Sequence, residues 1–115
     1  MIGYRFLDHA ILELEEAAHH YAAISVKLSF SLRDEVDRAL SYLCEFPRAA
    51  KPVDRIHGSY KLHRFPYLLV YRIAVDELVI VAVAHTSRKL GYWRKHTVNP
   101  LIPPNSVFAA TKRLP

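Results

Sequence analysis

The chain has 115 residues, half of them hydrophobic, and a net charge of +5. That is enough to build one ordinary domain with a real core, and it argues against a disordered chain. No apolar run approaches the ~20 residues needed to cross a bilayer.

The first residues lack the charged-then-apolar pattern of a secretory leader. A soluble cytoplasmic protein is expected. The single cysteine, Cys44, has no internal partner for a disulfide and fits a reducing compartment. The charge is unevenly spread. Residues 1–45 carry four Lys/Arg against eight Asp/Glu, a balance of −4, and residues 46–115 carry twelve against three, a balance of +9. A positive field concentrated in one half favours an anionic partner, and here it coincides with aromatic residues.

In chain order, Tyr4-Arg5-Phe6-Leu7 reads as a short strand. Asp8 follows as an N-cap. Ile11, Leu14, Ala18 and Tyr21 then recur at helical spacing, with Ala10, Ala17 and Ala22 widening the stripe. Glu13, Glu15 and Glu16 lie off it, near a helix start that favours acids. A second helix carries Leu28, Leu32, Val36, Leu40 and Leu43, joined by Ala39 and Phe46. Either Ser25 caps it or Ser31 and Asp34 form a capping box. Pro47 ends it. Two such helices joined by a short link fold back on each other. Cys44 on the second helix is expected in the core.

Arg48 to Arg55 has no periodicity and reads as a loop. Ile56 to Leu62 reads as a strand weakened by Gly58, and Pro66 interrupts the run. Tyr67–Val75 and Leu78–His85 are strands, with Asp76-Glu77 as the turn between them. Leu78 to Ala84 is continuously apolar, which implies a central strand buried on both faces. After Arg94 the chain becomes Pro-rich. The expected layout is β-α-α-β-β-β, an α+β domain over residues 1–96 in which an N-terminal helical hairpin packs on a small, mostly antiparallel sheet. Residues 97–115 form a tail.

Polar groups able to do chemistry gather at strand ends. Lys61 and His63 alternate, so both side chains are expected on one face. His85 ends a buried strand and is either a satisfied histidine near the core or a general acid/base. Arg88, Lys89, Arg94 and Lys95 are either a solvated basic patch or phosphate contacts. Tyr92 and Trp93 offer faces for base stacking, or pin the end of the sheet by packing. His19 and His20 diverge on their helix, and the seven histidines and one cysteine show no metal-ligand spacing, so neither metal nor cofactor is expected.

Several of these residues together resemble the RelE/ParE superfamily, the toxins of type II toxin–antitoxin modules, often labelled plasmid stabilisation proteins. The resemblance rests on Glu35-Val36, Ala39-Leu40, Pro47, Arg64-Phe65-Pro66-Tyr67, Tyr71, Asp76, Ala82-Val83-Ala84-His85, Arg88 and Gly91-Tyr92-Trp93. It implies a cytoplasmic toxin held inactive by a cognate antitoxin, with no membrane partner. One branch of the superfamily cleaves mRNA on the ribosome without a metal, and another poisons DNA gyrase. For the first activity, the resemblance places Lys61, His63 and Arg64 where that branch carries basic residues, and Arg88 and Tyr92 near its arginine and tyrosine. His85 joins Lys61, His63, Arg88 and Tyr92 as a catalytic candidate. Arg64, Lys89, Trp93, Arg94 and Lys95 are candidates for contact with a target or nucleic acid. The branch's further arginine on the central strand aligns here with Leu68. Two other readings follow from charge and shape: a non-catalytic basic module that binds an acidic antitoxin segment, and a general nucleic-acid-binding protein.

Overall fold

The computed structural model describes residues 2–89 and 91–93. A five-stranded sheet, ordered β1-β5-β4-β3-β2, carries a helical hairpin on one face. β1 (Gly3–Phe6) leads into α1 (Asp8–Ala22) and α2 (Val26–Glu45). β2 (Lys51–Pro52), β3 (His57–Lys61), β4 (Tyr67–Ile73) and β5 (Glu77–His85) follow. β1 runs parallel to β5 and every other pairing is antiparallel. This is the expected α+β architecture with one addition: two residues of the presumed 48–55 loop pair with Ser59 and Gly58 as an edge strand. So short a strand leaves almost no trace in hydrophobic pattern.

The helices differ from expectation in detail. Asp8 is the first helical residue of α1, not its cap; Leu7 holds the cap position in an extended conformation with no side-chain bond. Asp8 still contributes through its favourable position in the first turn. For α2, Ser25 occupies the cap position, again without a side-chain hydrogen bond, and Ser31 and Asp34 lie inside the helix. The buried stripe of α1 is Ala10, Glu13, Ala17 and Ala18, while Ile11 stays exposed. Small alanines allow the helix to approach the sheet closely, which brings Glu13 inward. On α2, Leu32, Val36, Ala39, Leu40, Leu43 and Cys44 are buried as expected, whereas Leu28 and Phe46 are exposed.

β5 lies between β1 and β4 and is buried along both faces. Leu78, Ile80 and Val83 join the core under the helices, and Val79, Val81, Ala82 and Ala84 join a second cluster on the opposite face. Strict alternation fails at one point. Val70 pairs with Ala82 and Tyr71 with Ile80, leaving Val81 as the extra residue of a bulge. The bulge shifts the phase, so that Val81 and Ala82 both turn to the second face. The β4–β5 turn is one residue earlier than expected. The Ala74 N–H donates to the Glu77 carbonyl at 2.8 Å, placing Val75-Asp76 at the tip.

Candidate functional site

One end of the sheet collects most of the candidate residues. Lys61, Leu68 and Ala84 form a row across β3, β4 and β5, and His85 stands opposite Tyr67 at the next position. The Thr86 N–H donates to the Pro66 carbonyl at 2.9 Å and ties the β3–β4 turn to the exit of β5. Lys61, His63, Arg64, Arg88 and Lys89 are all exposed at this end, so the result is a cationic rim.

α2 holds the rim in place through Glu35. Its carboxylate accepts the backbone N–H of His63 and, at 3.0 Å, that of Arg64, and lies 3.5 Å from Arg64 Nε. The turn donors thus have a charged acceptor, which orients the two basic side chains that follow. His63 Nε2 lies 3.3 Å from the Tyr60 hydroxyl, beside a groove of about 650 Å³ between α2 and β3.

Lys61 and His63 do not share a face. β3 ends at Lys61, so strand alternation does not extend to His63. Lys61 pairs with Leu68, which packs in the second cluster, and its ammonium donates to the Leu62 carbonyl at 3.0 Å. His63 instead stays with Tyr60, which packs against the core under the helices. His85 is held in a local turn: the Ser87 N–H donates to its Nδ1 at 3.0 Å, and the Ser87 hydroxyl lies 2.8 Å from the same nitrogen. An Nδ1 that accepts leaves the proton on Nε2.

Beyond β5 the chain reverses at Gly91, whose φ of 90° suits a residue without a Cβ. That reversal returns Tyr92 to α1, where its hydroxyl donates to Glu13. Glu13 also accepts the Val83 N–H at 2.9 Å and lies 3.3 Å from His9 Nε2. The sequence pattern puts Glu13 off the apolar stripe of α1. The structure makes it a buried acceptor serving β5 beyond the end of β1. Burial, followed by the bond to Glu13 and that residue's negative charge, pushes the Tyr92 phenol well above its ordinary value. The Arg88 guanidinium sits 3.8 Å from the centre of the Tyr92 ring. A neutral phenol committed to a carboxylate is poorly suited to accept a proton from substrate.

Trp93 is fully buried in the second cluster, its ring edge-on to His57 at 5.9 Å. It therefore cannot stack on a base or touch a target, and its place in the target-contacting set is corrected to that of a core residue. Arg94 and Lys95 lie outside the described residues. Among the described residues no group of three or more His, Cys, Asp or Glu could hold a metal ion. No described helix is long and apolar enough to cross a membrane.

The residues that sequence reasoning undervalued are Glu13 and Glu35. Glu13 falls at a stripe position three residues from Ala10 and four from Ala17, and an acid there signals a buried acceptor. Glu35 entered only among the residues that carry the family resemblance, with no role of its own.

A sequence model described as the ParE toxin of the type II toxin–antitoxin system parDE matches residues 4–90. Among solved structures, the chain is similar to one from the chromosomal ParDE toxin–antitoxin system of P. aeruginosa. The TM-score is 0.63 at 15% identity, covering 74% of this chain and 96% of that one. At that identity the likeness speaks for the fold alone. Among curated proteins there is no match. The family match spans well over half of the chain, so the chain belongs to the ParE toxin family, the toxin components of type II toxin–antitoxin systems, whose partner is a cognate antitoxin.

Proposed function

We propose that this toxin arrests growth by binding and blocking a macromolecular target, DNA gyrase, rather than by cutting mRNA. The observation that carries this reading is the state of Tyr92: its phenol is bound to Glu13 and its ionisation is suppressed. Metal-free RNA cleavage needs a base at the 2′-hydroxyl, an acid at the leaving oxygen and cations around the phosphorane. Three further features argue the same way. Leu68 stands where the RNA-cleaving branch carries an arginine, and it packs against apolar neighbours. Lys61 and His63 diverge, and His85 Nδ1 is occupied by Ser87. What remains is an exposed cationic rim of Lys61, His63, Arg64, Arg88 and Lys89, suited to holding an anionic surface by charge. The cognate antitoxin covers or displaces this surface, and both toxin and target reside in the cytoplasm.

The test is to induce the chain alone in bacteria and pulse-label DNA and protein synthesis in the first minutes. DNA synthesis is expected to fall first, and the purified protein is expected to inhibit supercoiling by purified gyrase. If protein synthesis falls first, and substitution of Lys61 or Arg88 abolishes toxicity, the mRNA-cleaving reading replaces this one.

A further inference from the structure

The groove between α2 and β3 is walled by aromatic rings and guanidinium groups. Arg38 and Tyr42 are four residues apart on α2, so helical geometry sets them on one face. Tyr60 comes from β3, and His63 and Arg64 from the turn that follows it. All five line the groove. The rings form a continuous run. Phe46 lies 5.3 Å from Tyr42, Tyr42 lies 5.8 Å from Tyr60, and Tyr60 lies 6.3 Å from His63, centre to centre. Tyr42 is 44% exposed and Phe46 52%, so this aromatic surface is open to solvent.

The groove is also positive. Glu35 is its one acid, and that carboxylate already meets the His63 and Arg64 N–H groups and Arg64 Nε. The Arg64 side chain is nevertheless 62% exposed. Arg38 is exposed, and among the described residues its side chain has no ion pair or hydrogen bond. Two guanidinium groups against one engaged carboxylate leave a surplus of positive charge. Ala39 is the one aliphatic residue of the lining, and it is buried. The groove therefore offers rings and cations, with no hollow shaped by aliphatic side chains. That combination complements a flat conjugated ring joined to an anion. The volume, about 650 Å³, falls within the range of sites that hold one small molecule.

We propose that this groove binds a nucleoside phosphate, with the base against Tyr42 and Tyr60 and the phosphate on Arg38 and Arg64. The planar fork of an arginine meets phosphate oxygens two at a time. Stacking needs only the face of a ring, so the tyrosines accept any base. The proposal does not rest on the gyrase reading, because it concerns a ligand of the isolated toxin whatever the target is.

The purified full chain is titrated in turn with AMP, adenosine and inorganic phosphate, following backbone and arginine Nε–Hε signals by NMR. AMP is expected to give saturable shifts at Arg38, Tyr42, Tyr60, His63 and Arg64. Its adenine protons are expected to move upfield as they meet the rings. Adenosine and phosphate each offer half of the contacts, and each is expected to bind about tenfold more weakly than AMP. Arg38→Gln and Tyr42→Leu change exposed side chains of α2 and introduce good helix formers. Each is expected to weaken AMP binding about five- to tenfold. Arg55→Gln, beyond the other end of β3, is expected to leave it unchanged. Four outcomes overturn the proposal: no saturation at millimolar AMP, phosphate binding as tightly as AMP, AMP binding unaffected by both α2 variants, or a single-stranded oligonucleotide that binds far more tightly than AMP with shifts running on to Lys61 and Arg88, which would assign the groove to a nucleic-acid strand.

Discussion

The two faces of the sheet are closed by different means. Under α1 and α2, a broad apolar stripe meets Leu69, Tyr71, Leu78, Ile80 and Val83, and most of the burial is shared among aliphatic side chains at regular spacing. On the other face the cover includes one large aromatic, Trp93, set on Val70, Val79, Val81, Ala82 and Ala84. The first face distributes its stability over many residues, whereas the second concentrates it in one side chain delivered by the Gly91 turn and held by the neighbouring Tyr92–Glu13 bond. The first should therefore tolerate single losses better than the second, and the second is where the buried Arg72 lies.

Trp93→Ala tests this most severely. It should cost about 3–5 kcal/mol, the upper range for truncating a buried aromatic. Leu43→Ala in the helix-side core should cost about 2–4 kcal/mol. Urea denaturation of both proteins compares them directly; a smaller loss for Trp93 than for Leu43 would reverse the contrast. Next comes the latch beside Trp93. Tyr92→Phe leaves Glu13 buried with one donor fewer and should cost about 1–3 kcal/mol. In a double-mutant cycle with Glu13→Gln, the two changes should be non-additive. Additive losses would mean that the hydrogen bond contributes nothing beyond packing.

The latch also has a pH signature. The Tyr92 phenol is held above its unfolded value of about 10, so the folded state keeps a proton that the unfolded state gives up. Stability is complete below about pH 10 and declines as pH rises above it. Tyr67 and Tyr71 are shifted upward too, chiefly by burial, so Tyr92→Phe should flatten this decline without removing it. An unchanged alkaline slope in that variant would argue against the assignment. The smallest expected effect is at the rim. Glu35→Ala removes the acceptor of two turn N–H groups near solvent and should cost about 1 kcal/mol. Faster hydrogen exchange is expected to be confined to His63 and Arg64, whereas exchange spreading into β4 would show that Glu35 supports more than the turn.

The fold was largely legible because its signals are periodic. The apolar run from Leu78 to Ala84 announced a strand buried on both faces, and the heptad-like spacing from Leu32 to Leu43 announced a helix packed on one side. The candidate site was legible in composition but not in geometry. The chain shows that Lys61, His63, Arg88 and Tyr92 exist near strand ends; it does not show that β3 stops at Lys61 and separates the first two. Nor does it show that the Val81 bulge changes which face the next residues meet, or that Glu13 is drawn inward by the alanines around it.

Local pattern alone therefore determined the element order apart from β2, the central strand, the helical hairpin and the accumulation of positive charge after residue 45. These depend on neighbours a few positions apart, whose side chains share a face by backbone geometry. Only the tertiary structure decided which polar groups were used up. Glu13 meets Val83 and Tyr92, Glu35 meets the His63-Arg64 turn, and Trp93 meets the second face of the sheet. Those pairings join residues distant in sequence, and a side chain's chemistry depends on what it touches.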